Sequence, residues 1–156
     1  MIIEDLIINK TCAVTGHRII KNNFNTIELK EVFVDLISKG IDTFLIGMAI
    51  GFDSLCFKIL EKLKEQYQIK LVACVPCYNQ DKNFTFLQKK AYQEMLNNAD
   101  LIHYVSREYT PYCMQKRNVF MVDNSGVLIA YLRENKGGTF NTVKYATKKQ
   151  KQIIYV

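Results

Sequence analysis

Hydrophobic and polar positions along this chain fall into two alternating textures. Short, nearly continuous apolar runs at residues 10–15, 43–46, 70–75, 100–104, 127–132 and 152–156 predict strands buried on both faces. A half-exposed strand would instead alternate with a period of two. Between these runs, residues 26–38, 52–67, 85–97, 111–122 and 139–149 carry the period of a helix. In the second helix Leu55, Ile59 and Leu63 share one face, with lysines opposite. Thr26 is the expected cap of the first helix, and Pro111 an expected first-turn residue of the fourth. Strand and helix alternate almost throughout. The pattern therefore predicts an α/β protein with a mostly parallel sheet and helices on both faces.

In an open sheet of this kind ligands bind beyond the carboxyl ends of the strands, which singles out the loops that follow them. The first strand leads into Thr15, Gly16, His17 and Arg18, and the second into Gly47, Met48, Ala49, Gly51 and Asp53. Pro76 opens the loop after the third strand, and residues 106–118 follow the fourth. The fifth is followed by Gly137, Gly138 and Thr139. Gly47 and Gly51 bracket a strand-to-helix turn that either packs tightly or lets backbone N–H groups approach a phosphate. Gly137-Gly138-Thr139 repeats the device with a hydroxyl added. Neither turn is a GxGxxG fingerprint or a triphosphate P-loop.

Asp53 reads in two ways, as a first-turn acid that complements the helix dipole or as an acceptor for a ribose hydroxyl. Arg117 and Asn118 lie in an apolar stretch. There a guanidinium needs either an anionic ligand or a hydrogen-bonded structural partner. His17 and Arg18, at a strand end, suit a phosphate or carboxylate. His103, inside a strand, reads as a packed core residue.

Composition narrows the function classes. The chain has 156 residues, 49% hydrophobic and 23% charged, with 7 Gly and 2 Pro, which matches one globular domain over 1–156 and excludes disordered or collagen-like chains. No apolar run is long enough to cross a bilayer, and the N-terminus has no basic n-region, so a cytoplasmic protein without a membrane partner is expected. The net charge of +6 favours an anionic partner. The basic residues are dispersed along the chain, with the densest group at Lys144, Lys148, Lys149 and Lys151 read as a solvated face, and this argues against nucleic acid as a partner. The five cysteines, including the Cys74-Val-Pro-Cys77 spacing, form neither a disulfide framework nor a zinc set, and no metal or cofactor is expected.

Five segments in order, TCAVTGHR, LIGMAIGFDSLC, LVACVPC followed by Gln80, YTPYCMQKRNVFMVDNSG and KGGTFNTVKYA, resemble the YpsA-like branch of the SLOG superfamily, which includes DprA and the Lonely Guy proteins. The likeness spans residues 11–156. It implies a Rossmann-like three-layer fold and a site for a nucleotide or nucleotide derivative, such as ADP-ribose or a cyclic ADP-ribose-type signal. The protein would then act as a sensor, or as a sponge that sequesters an antiphage immune signal. Related Lonely Guy enzymes cleave nucleoside monophosphates, using the Glu of a PGGxGTxxE pattern. Here Thr142 stands at the place of that Glu. A hydroxyl cannot supply the carboxylate's charge or basicity, so the expectation leans to binding without catalysis, with a nucleotide N-glycosidase as the alternative. The resemblance also implies a homo-oligomer, a dimer or larger.

Overall fold

The computed structural model describes residues 1–156. After two short 3-10 turns at Ile3–Asp5 and Ile8–Lys10, the chain runs β1 (Thr11–Gly16), α1 (Thr26–Ser38), β2 (Thr43–Ile46), α2 (Phe52–Leu63) and β3 (Lys70–Val75). A 3-10 turn at Gln80–Asn83 precedes α3 (Phe86–Asn98), β4 (Leu101–Tyr104), α4 (Cys113–Asp123), β5 (Val127–Tyr131), α5 (Gly138–Lys148) and β6 (Gln152–Tyr155). Every strand pairing is parallel, in the order β4-β3-β2-β1-β5-β6. The fold is thus the expected Rossmann-like three-layer arrangement, its sheet parallel throughout.

Two apolar clusters fill the layers. Alternate residues of the strands, among them Val14, Ile46 and Ile129, face α1, α2 and α3 through Phe33, Phe57, Leu60 and Met95. The intervening residues Ala13, Leu45, Val72 and Leu128 face α4 and α5 through Met121, Val122, Val143 and Ala146. Because both faces are covered, the central strands carry no polar alternation. Phe33 and Phe57 are core residues, whereas Phe86 is exposed. All five cysteines are buried and free. His103 stacks on Phe120 at 4.3 Å, and burial lowers its pKa.

The helix starts differ from expectation at two places. Asn25 rather than Thr26 caps α1, its side-chain oxygen accepting from the N–H groups of Ile27 (3.1 Å) and Glu28 (3.2 Å). Pro111 stands outside α4, which begins at Cys113. At α3 Thr85 and Gln88 form a reciprocal capping box.

The order of the strands decides where a site can lie. The chain steps outward from β1 to β4 and then returns to place β5 on the other side of β1. The loops leaving β1 and β5 therefore diverge to opposite faces, opening a crevice at their carboxyl ends.

Candidate functional site

A cavity of about 340 Å³ occupies that crevice. The β1 end contributes Thr15, Gly16, His17 and Arg18; the β2 end contributes Gly47 and Ala49, with Asp53 from the first turn of α2. Arg117 and Asn118 reach it from α4, and Gly137, Gly138 and Thr139 from the start of α5. Four chain segments that are remote in sequence meet here. A cleft of about 370 Å³ lies beside α1 and the ends of β5 and β6. There, however, the α1 N-terminus is already capped by Asn25 and lined by Glu28, which leaves little for an anion.

The α5 N-terminus is different, because Gly137 precedes it and no side chain caps it. Its first N–H groups keep their donor capacity at the positive end of the helix dipole, beside the exposed cations Arg18 and Lys136. This is a setting for a phosphate or another anion. Glu134 adds one carboxylate to the rim.

The floor is built around Gly47. Arg117, 6% exposed, donates through Nη1 to the carbonyls of Gly47 and Cys74 and through Nε to Asn118 Oδ1 at 2.7 Å. Its side chain thereby ties α4 to the ends of β2 and β3, so the structural role weighed for this arginine is real, and Nη2 makes no hydrogen bond within the chain. A Cβ on Gly47 would lie 2.8 Å from Arg117 Nη1 and 3.0 Å from Asp53 Oδ2. An added methyl group would press on both charged groups. Asp53, 7% exposed, accepts from the Ala49 N–H through Oδ2 at 3.1 Å. Burial raises its pKa to about 6, against the opposing pull of the Arg117 charge across Gly47 and of the Ala49 N–H. The same burial lowers the pKa of Arg117.

Some residues expected at the site serve other ends. Gly51, with φ +85°, turns away from the cavity; its missing Cβ makes room for the Arg18 carbonyl, which a Cβ would meet at 2.2 Å. The neighbouring Phe52 N–H donates to the His17 carbonyl at 3.1 Å, so this turn fastens the β1 loop instead of presenting donors to a phosphate. Met48 is fully buried, and its carbonyl accepts from Gln80 Nε2 at 2.7 Å. Pro76 is buried, its carbonyl bonded to the Ser106 N–H. Thr142 spends its hydroxyl on the Gly138 carbonyl at 2.8 Å, inside its own helix. His17 reaches the cavity, but its Nε2 already accepts from the Arg133 N–H at 2.8 Å.

Val14, Met114, Met121 and Glu134 also line the cavity and were not singled out in the sequence, and Lys136, the first residue of the last glycine turn, lines it too. Met114, Arg117, Asn118 and Met121 follow an i, i+3, i+4, i+7 spacing, one face of α4, and that periodicity was the available signal.

With this geometry in hand, comparison with known proteins assigns the family. A family model described as the YspA SLOG family matches residues 13–156. The chain belongs to this family. The SPbeta prophage-derived protein YoqJ of Bacillus subtilis is 34% identical over 135 residues, covering 78% of this chain and 79% of YoqJ. Among solved structures, the DNA processing protein A (DprA) of Helicobacter pylori, described for its single-stranded DNA binding mode, aligns with a TM-score of 0.66 at 17% identity. It covers 97% of this chain, which spans 66% of the H. pylori chain. DprA of Streptococcus pneumoniae aligns with a TM-score of 0.63 at 12% identity, over 94% of this chain and 50% of its own. At these identities the likeness is one of fold. It nevertheless corrects one expectation of the sequence, that nucleic acid could be set aside as a partner, because a SLOG fold of this shape occurs in a protein that binds single-stranded DNA. The physical reason is spatial. Cations that look dispersed along the chain, Arg18, Arg117 and Lys136, converge on one crevice.

Proposed function

We propose that the crevice binds a phosphate-bearing nucleotide or nucleotide derivative, of the ADP-ribose or cyclic ADP-ribose type, without chemical conversion. The observation that carries this reading is the uncapped α5 N-terminus at the β1/β5 switch point, flanked by Arg18 and Lys136. A phosphate placed there leaves the ribose toward Asp53, whose Oδ2 is held by Ala49 while the other oxygen is available to accept a hydroxyl. The methionines of α4 offer an adaptable apolar wall for a base. Thr142 provides no carboxylate, and its hydroxyl is committed to Gly138, which favours binding over catalysis. A prophage-derived relative favours a role as sensor or sponge for a signal at the phage–host boundary.

Isothermal titration against ADP-ribose, its cyclic isomers and nucleoside monophosphates tests this, with chromatography of the mixtures for free base. Saturable heat without free base is expected. No heat with any of them overturns the reading, and release of base replaces it with an N-glycosidase that uses Asp53.

A second reading, binding of single-stranded nucleic acid, is favoured by the shared fold with DprA and by the convergence of cations from separate loops. It uses the same crevice for one nucleotide of a strand.

A further inference from the structure

We infer that the imidazole of His17 is a pH-sensitive latch between two walls of the crevice, and that acid opens the latch and weakens nucleotide binding. The inference deepens the nucleotide reading above and rests on it.

The β1/β5 ladder ends at the pair Gly16 and Tyr131. Beyond it the two chains part, β1 into the loop that carries Arg18 and β5 into the turn that carries Lys136, Gly137 and Gly138. Across this opening the Arg133 N–H donates to His17 Nε2 at 2.8 Å. It is the one hydrogen bond between residues 17–25 and residues 133–138. A side chain has thus taken the place of the next ladder carbonyl. A carbonyl accepts at any pH, whereas histidine is the side chain suited to change charge between about pH 5 and pH 8.

The ring is held on its other sides. It meets the Tyr131 ring edge-on, with centroids 5.8 Å apart, and the Phe52 N–H donates to the His17 carbonyl at 3.1 Å. The Tyr131 hydroxyl in turn accepts from the Lys21 N–H at 3.1 Å, and the Arg133 guanidinium lies over the Tyr131 face, 4.3 Å from its centroid. An imidazole that accepts at Nε2 is neutral and carries its proton on Nδ1. A second proton makes both nitrogens donors, so Nε2 turns an N–H toward the Arg133 N–H and the bond is lost. The charged groups that line the crevice with His17 are Arg18 on its own loop, Glu134 and Lys136 from the β5–α5 turn, Asp53 from α2 and Arg117 from α4, with Arg133 at the latch itself. Four of these six are cations, and a protonated ring adds to their repulsion across the opening. With the latch open, Arg18 and the α5 N–H groups keep no fixed separation. Binding must then supply the ordering that the latch gives in advance, which lowers affinity.

ADP-ribose is the probe, because its pyrophosphate has no terminal phosphate and keeps its charge from pH 5.5 to pH 7.5. Calorimetry on the full chain at those two pH values, with amide NMR of the free protein between them, compares the parent with His17→Gln and His17→Ala, each checked for folding by circular dichroism. In the parent the Arg133 amide should move with the titration of the His17 ring, and affinity should be about 5- to 10-fold lower at pH 5.5, the size of one lost hydrogen bond. Gln offers an oxygen to the same N–H and does not titrate, so it should restore affinity relative to Ala at pH 7.5 and show a smaller fall in acid. Asp53 also titrates in this range, and only the part of the fall that His17→Gln removes belongs to the latch. An Arg133 amide indifferent to pH, an equal fall in the Gln variant, or an affinity that rises in acid because the imidazolium grips the ligand directly overturns the latch. An Arg133 response without ADP-ribose binding at either pH overturns the nucleotide reading, and with it the coupling, while supporting the latch in the free protein.

Discussion

Replacing Asp53 by Asn should stabilise the protein at alkaline pH and leave it unchanged in acid. Asp53 is 7% exposed, and burial raises its pKa from 3.8 to about 6 even with Arg117 and the Ala49 N–H favouring the charge. The native state therefore holds this proton more tightly than the unfolded chain does. Stability is unaffected below the unfolded value, falls as pH rises from about 4 to about 6, and carries the full penalty above that window. At about 1.36 kcal/mol per unit of pKa, the penalty is about 3 kcal/mol at pH 8. For a chain of this size that corresponds to a rise in melting temperature of about 6–12 °C when the charge is removed. Asn retains the oxygen that accepts from Ala49 and discards the charge, so it should deliver most of that gain. Thermal melts of parent and variant at pH 3.5 and pH 8, followed by circular dichroism, provide the comparison. Equal melting temperatures at pH 8, or a gain that persists undiminished at pH 3.5, would refute the reasoning. The same variant should bind a ribonucleotide more weakly, because a carboxylate accepts a ribose hydroxyl more strongly than an amide does.

Other perturbations probe the remaining parts of the site. Gly47→Ala should cost about 1–3 kcal/mol in urea denaturation, since the added methyl falls 2.8 Å from Arg117 Nη1 and 3.0 Å from Asp53 Oδ2 with both groups held in place. A folded Arg117→Ala protein should bind nucleotide at least about tenfold more weakly by calorimetry, while Lys149→Ala on the exposed end of α5 changes little; unchanged affinity for the former moves the site off α4. Asn25→Ala should lower stability by about 1 kcal/mol, and Thr26→Ala by less, because only Asn25 accepts the first-turn N–H groups of α1.

Much of the layering was legible because buried parallel strands leave an unbroken apolar signature. Residues 43–46 and 70–75 coincide with β2 and β3 for this reason. The second helix reads too long in sequence, since Glu65 and Gln66 are good helix formers, yet the chain leaves α2 at Leu63 to reach β3. Strand order was not legible, because the spacing of helices says nothing about the side of β1 on which β5 will dock. Gly51 misled for a related reason: a glycine kept for a phosphate and one kept for the carbonyl of Arg18 look alike in sequence. Glu134 stands just before the Lys136-Gly137-Gly138 turn, which drew attention away from it. The charge pattern misled most, because distance along a chain is a poor guide to distance in a parallel sheet.

The pairing of β5 against β1 has a consequence for how the molecule comes into being. Cys12 finds its neighbour Val127 only after most of the chain has been made, whereas β1 to β4 pair through successive short crossovers. Bringing such distant segments together carries a larger loop-closure cost than the earlier pairings, so it should come late in folding. The crevice does not exist until that step, since one of its walls is the β5–α5 turn. A chain emerging from the ribosome can therefore pair four of its six strands with no capacity to hold a ligand. Binding competence appears with the last strands, and a bound ligand would act as a clasp on the closing seam of the fold.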